Sequence, residues 1–192
     1  MIFDGQTENE IRKRAFAYLK KGRKEDMKHT LRAVKYGKIL WIYEGGNLDT
    51  ICISLYFHDT GRYKLKDPKS IRPKDLTLHM EYGAKNVRKE LEEIKYNGKK
   101  TEKIERIVSI HDWPDKVIEW GDIDAILTME SDRLDRYGKG AIPRFKECGK
   151  SPEYILNHVE SGLDKWFITN TGKKIAKDLF EEMKEILEEK MF

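Results

Sequence analysis

Cysteine is scarce in this 192-residue sequence: Cys52 and Cys148 are the only two, far apart and without a CxxC partner. A disulfide scaffold is not expected at that count and length. Cys52, inside the apolar run ICISLYF, reads as a small core residue. No run of about 18 apolar residues occurs, so no membrane span is expected. The N-terminal MIFDGQTENE is acidic and lacks the apolar segment of a secretory leader, which makes the expected location cytoplasmic. Strong charge of one sign is missing too. Lys and Arg total 38 against 34 Asp and Glu, a formal +4. That excess weakly favours an anionic ligand and is too small for a nucleic-acid tail, so no long nucleic acid is expected as partner. Internal repeats, low-complexity linkers and convincing strand alternation are also missing. What remains is 39% hydrophobic and 38% charged residues, enough for one core inside a highly charged shell.

Helical periodicity fills the chain. Thr7 with Glu10 reads as a capping box opening a helix through Ile11, Ala15 and Leu19 to Gly22. A second helix is predicted from about Glu25 to Glu44, stopped by Gly45-Gly46. Asn47 is placed as the cap of a third, which Gly61 ends. A basic loop broken by Pro68 and Pro73 follows, then a long helix from Asp75 to about Ile94. Thr101 starts another, stopped by Pro114. Ala125, Met129 and Leu134 mark a helix ending at Gly138; Ser151-Pro152 caps the next, and a last one carries Ile175, Leu179, Met183 and Ile186. The fold class expected is all-α: one domain over 1–192, with its main body at about 24–138 and a helical C-terminal extension over about 139–192.

Four of the five histidines fall on or near the inner faces of these helices. His58 lies three residues after Leu55, and His111 three after Val108; His79 follows Leu76, and His29 sits one turn before Ala33. A lone histidine in such a place is most often a core residue bonded to a carbonyl. Four beside Asp59 are harder to bury that way, because unpaired polar groups are costly in a core. Imidazole with carboxylate is a ligand set for Mn, Fe, Co, Ni or Zn. HExxH is absent, and the spacings are not those of a zinc finger, so the ligands have to meet from separate helices.

Read in order, His29, His58-Asp59, His79, His111 and Asp132 within TMESDRLDRYG resemble the HD-domain metal-dependent phosphohydrolases. HDTGR is similar to the family's His-Asp-x-Gly-Lys stretch, with Arg62 where Lys is frequent; LHMEYGA and SDRLD resemble its second histidine helix and closing aspartate. The likeness covers roughly residues 24–138. It implies a first metal on His29, His58, Asp59 and Asp132, and a second on His79 and His111 with Asp59 as bridge. It also implies one or two divalent transition ions, with Mg admitted, and hydrolysis of a phosphomonoester or phosphoanhydride, plausibly a nucleotide, by a metal-activated water. Asp59 and Arg62 are the expected catalytic residues, and Arg62, Lys64 and Arg136 the substrate-binding ones. Lys66 and Arg133 are weaker candidates for the same charge role. Asp112 and Asp115 either line the mouth or end a helix, Glu81 is a possible support behind a ligand, and His158 reads as structural. The same ligand order also admits a di-iron oxygenase, and a nucleotide-binding regulator without turnover stays open. Oligomeric state is not legible.

Overall fold

The computed structural model describes residues 3–189, and these form an all-α fold of ten helices. In chain order they are α1 (Gly5–Leu19), α2 (Asp26–Glu44), α3 (Leu48–Phe57), α4 (Pro73–Glu93), α5 (Gly98–Ile110), α6 (Pro114–Trp120), α7 (Ile123–Leu134), α8 (Ile142–Glu147), α9 (Pro152–Trp166) and α10 (Asn170–Glu188). A 3-10 turn, Arg62–Lys64, follows α3.

The architecture is organised around α3. Its sequence LDTICISLYF is apolar on nearly every face, and such a helix is stable only when surrounded. It packs against α1, α2, α4, α5 and α7, with Ile51, Cys52, Ile53, Leu55 and Phe57 fully buried. Burial pushes the Cys52 thiol up to about 12, so it stays an inert core thiol. The amphipathic α4 and α5 lie side by side, Val87 and Leu91 meeting Ile104 and Val108 in the core. Burying each such side chain stabilises by about 1.5–3 kcal/mol.

Just past α3 the chain turns sharply against α4, and glycine is required there. A Cβ on Gly61 would lie 1.9 Å from the His79 carbonyl oxygen and 2.6 Å from the Gly83 nitrogen. Gly83 leaves the matching space on α4, where a Cβ would meet the His58 carbonyl oxygen at 3.2 Å. This paired close approach presses the end of α3 onto the middle of α4, and so brings two histidines from distant parts of the chain together.

The C-terminal helices share the same core. Ile155, Val159, Phe167, Phe180, Met183 and Leu187 belong to one cluster with the residues of α3. A buried carboxylate fastens them: Glu130 on α7 accepts from the backbone N–H of Ile168 (2.5 Å) and Thr169 (2.8 Å) and from the Thr169 hydroxyl (2.6 Å).

Several helix ends differ from the sequence reading. The cap of α1 is Asp4, which accepts from the Thr7 N–H at 2.8 Å; a carboxylate three residues ahead outcompetes the Thr7 box. Asn47 precedes α3 as expected but makes no side-chain cap bond; its N–H donates to Asp124 at 2.7 Å. Asn97 caps α5 four residues before Thr101, which is buried in it. Pro114 opens the short α6 in addition to following α5, the favoured first-turn position for proline. The helices predicted to run on to Gly61 and Gly138 end earlier, at Phe57 and Leu134.

Candidate metal centre

Five elements deliver one point of convergence. His29 comes from the first turns of α2, His79 from α4 and Asp132 from the last turn of α7. His58 and His111 cap the C-termini of α3 and α5. Each of these two donates its Nδ1–H to the carbonyl three residues earlier, His58 to Leu55 (2.6 Å) and His111 to Val108 (2.8 Å). That leftover helix carbonyl fixes the tautomer and turns both Nε2 atoms inward. All five are buried, as is Asp59.

The inward atoms form two groups that can each hold an ion: His29, His58 and Asp132, and Asp59, His79 and His111. In the first, His29 Nε2 lies 2.9 Å from His58 Nε2 and 3.0 Å from Asp132 Oδ1. Asp59 stands between the groups. Its Oδ2 is 3.9 Å from His29 and 3.7 Å from His58, while its Oδ1 is 3.5 Å from His79 Nε2.

A ring of charge surrounds them. Arg62 is buried rather than loop-exposed, with Nε 2.6 Å from Asp59 Oδ1 and Nη2 3.7 Å from Asp112 Oδ2. Arg136 Nη2 lies 3.6 Å from both Asp112 Oδ1 and Asp132 Oδ2. Arg133 Nη2 meets Asp112 Oδ1 at 2.9 Å. Lys64 is not brought in; its ammonium lies 5.2 Å over the Tyr63 ring. Lys66 is exposed, and Glu81 lines an exposed groove with Lys85, Glu102 and Arg106. His158 joins an aromatic cluster with Phe145, Tyr154 and Trp166.

Two residues of this ring, Arg23 and Asp135, escaped the sequence reading, and a third, Asp112, was left open by it. Arg23, in the turn before α2, pairs with both Asp26 and Asp59; nothing in KGRKED marks it out. Asp135 accepts from the His29 Nδ1–H at 2.6 Å and is itself held by Arg32 and Arg144. Its place one turn after Asp132 was the available signal. Asp112, left between mouth and helix end, is buried among three guanidiniums.

These surroundings polarise the two groups differently. Burial alone would lower His29, but the carboxylates of Asp132 and Asp135 raise it to about 9. Asp132 is pushed up by burial, yet the His29 and His58 bonds and the Arg136 charge hold it well below the usual range. His79 goes the other way: burial, then the Arg62 charge, push it down to about 3. His111 is lowered as well, chiefly by burial.

His79 supplies the test of whether a metal fits. It is 0% exposed, and among the described residues neither ring nitrogen has a hydrogen-bond partner. A buried imidazole without a partner is costly, and a metal ion is the partner its neutral form accepts. The donor set of imidazoles and carboxylates therefore fits one or two first-row divalent ions.

Comparisons with known proteins show what the fold is similar to. The chain is similar in fold to an HD-superfamily hydrolase from Bacillus thuringiensis, with 21% identity, a TM-score of 0.71 and coverage of 97% of this chain and 95% of that one. It is similar to a predicted HD superfamily hydrolase from an uncultured Thermotogales bacterium, at 19% identity and TM-score 0.68, covering 95% and 90% of the two chains. Bacillus subtilis YpgQ in complex with ADP gives 17% identity, TM-score 0.70 and coverage of 96% and 93%. No curated protein matches the sequence. The HD domain profile matches residues 27–137, the segment that carries all six of the convergent histidines and aspartates, and the chain belongs to the HD domain family.

Proposed function

We propose that this HD-family protein is a metal-dependent phosphohydrolase acting on a phosphomonoester or phosphoanhydride, with nucleotides among the candidate substrates. The observation that carries the reading is the pairing of two His/Asp groups through Asp59, with the guanidiniums of Arg23 and Arg62 on Asp59 and that of Arg136 beside Asp132. His29, His58, Asp59 and Asp132 would hold one ion, and His79 and His111 would hold a second beside Asp59. Bound there, a divalent ion supplies a more acidic water and a Lewis acid for a phosphoryl oxygen.

The chain's own residues do the rest. His79, kept neutral by burial and the Arg62 charge, offers a lone pair instead of a repelling cation. The Nδ1 bonds of His58 and His111 hold those rings in one orientation, so little reorganisation is needed on binding. Asp135, backed by Arg32 and Arg144, fixes His29 in the same way. Arg62 and Arg136 present N–H donors beside the ligand set, where a phosphate would arrive carrying charge of the opposite sign. As negative charge spreads over the phosphoryl oxygens in the transition state, these fixed donors bind it more strongly than the ground state. The ADP found with the similar Bacillus subtilis protein supports a nucleotide among the candidates.

The test is metal analysis of protein purified without chelator, followed by a nucleotide and phosphoester panel with Mn²⁺, Co²⁺ or Mg²⁺. Phosphate or pyrophosphate release that disappears on chelation and returns with the ion is expected. Turnover that instead consumes O₂ and needs iron would replace this reading with an oxygenase.

A further inference from the structure

Asp112 repeats, on the far side of His79, the way Asp59 is used. Each carboxylate gives one oxygen to each side. Asp59 directs Oδ2 to the first group and Oδ1 to His79 at 3.5 Å. Asp112 gives Oδ1 to Arg133 (2.9 Å) and Arg136 (3.6 Å). Its Oδ2 faces inward, 3.4 Å from His79 Nε2 and 3.9 Å from His111 Nε2. His79 Nε2, buried and without a hydrogen-bond partner, thus lies between two carboxylate oxygens from different elements. An ordinary core histidine would donate to one of them; at these separations it donates to neither.

From this geometry we propose that Asp112 Oδ2 is a fourth protein group of a second divalent-cation site with Asp59, His79 and His111. This rests on the metal centre proposed above and adds to it a residue outside the two ligand groups. The charge argument runs the same way. The Arg62 guanidinium spans the two carboxylates, 2.6 Å from Asp59 Oδ1 and 3.7 Å from Asp112 Oδ2. A positive group is therefore already drawn to this spot, and a divalent ion bound by both oxygens would take over the role. Two carboxylates and two imidazoles favour a borderline ion such as Mn²⁺, Fe²⁺ or Zn²⁺ over one that prefers oxygen alone. The alternative is that Asp112 only aims Arg133 and Arg136.

The deciding experiment strips the full chain with chelator and titrates it with Mn²⁺, reading ions per chain by elemental analysis and coupling between ions by electron paramagnetic resonance. Two ions and a coupled signal are expected for the wild type. Asp112→Asn keeps the shape and loses the charge; it is expected to keep the first ion and weaken the second by about 10- to 100-fold or more, the scale on which even outer partners of ligands act. A single Mn²⁺ in the wild type, or a second ion bound by Asp112→Asn with unchanged affinity, would overturn the proposal. If Asp112→Asn fails to fold, anomalous diffraction from Mn²⁺-soaked wild-type crystals decides instead. Asp112 within about 2.2 Å of the second ion supports the assignment; an ion there with Asp112 turned away sinks it. Failure of the underlying reading looks different, since the wild type would then bind no Mn²⁺ at either position.

Discussion

The two halves of the centre are built from the same side-chain types and held by opposite physics. In the half made by His29, His58 and Asp132, every imidazole is bonded: His29 to Asp135 and beside Asp132, and His58 to the Leu55 carbonyl. In the other half His79 has no hydrogen-bond partner, and burial drives it toward its neutral form. The first half is a satisfied polar network that stands on its own. The second is assembled by packing, through Gly61 and Gly83, and although His111 is bonded to the Val108 carbonyl, both ring nitrogens of His79 are left for something else to satisfy. Stability and ion binding should therefore respond to mutation in opposite ways across the centre.

The largest expected effect removes the element common to both halves. Asp59→Ala deletes the carboxylate that faces His29, His58 and His79 and is gripped by Arg23 and Arg62. Metal content of the purified variant should fall to background and turnover should vanish, and His58→Ala should behave likewise. Full metal content in either variant, measured by elemental analysis, would refute the assignment.

Next in size is the bonded half. His29→Leu leaves Asp132 and Asp135 buried with fewer positive partners. Removing one member of a buried charged pair costs about 3–5 kcal/mol. Chelator-treated His29→Leu should lose that much in urea or thermal unfolding, whether or not metal is later supplied. A change below about 1 kcal/mol would mean that the network is not holding the fold.

These two predictions also mark what was legible in the sequence. The all-α class and the positions of α2, α4, α7 and α10 followed from periodicity, because apolar spacing directly encodes which face is buried. The six convergent residues were legible because four histidines fell near inner faces and HDTGR gave them an order. The charges around them were legible only in part: Arg62, Arg133 and Arg136 were named, but Arg23 and Asp135 were not, and Asp112 was left open. Arg23, Asp112 and Asp135 sit at turns and helix ends, where no periodicity says which way a side chain points, and their partners lie up to 106 residues away. Lys64 shows the converse case: a cation in the right loop whose ammonium lies over the Tyr63 ring. Helix starts were missed where a competing cap, Asp4 or Asn97, stood a few residues upstream.

Arg62 belongs to both sides of the comparison, touching Asp59 and Asp112. Arg62→Ala should retain the ion of the bonded half while kcat/KM falls about ten- to a thousand-fold, the scale of one preorganised charged donor. Arg62→Lys should recover part of the loss, since charge survives and the fork does not. Wild-type kcat/KM in Arg62→Ala would reduce its role to pairing with the two carboxylates.

The smallest expected effect is the most discriminating, because it isolates the unsatisfied half. His79 is fully buried and makes no hydrogen bond, so in metal-free protein its two ring nitrogens contribute only the cost of leaving water. Leucine is close in volume and carries no polar atom. Replacing unsatisfied polar groups by apolar ones of similar shape is nearly neutral or stabilising. His79→Leu in chelator-treated protein should thus unfold within about 1 kcal/mol of the wild type, or above it, in contrast to His29→Leu. Adding Mn²⁺ should then stabilise the wild type more than the variant, since an ion that binds only the folded state adds stability as the logarithm of one plus its concentration over its Kd. If His79→Leu instead costs as much as His29→Leu without metal, His79 has a protein partner after all, and the contrast between the two halves disappears.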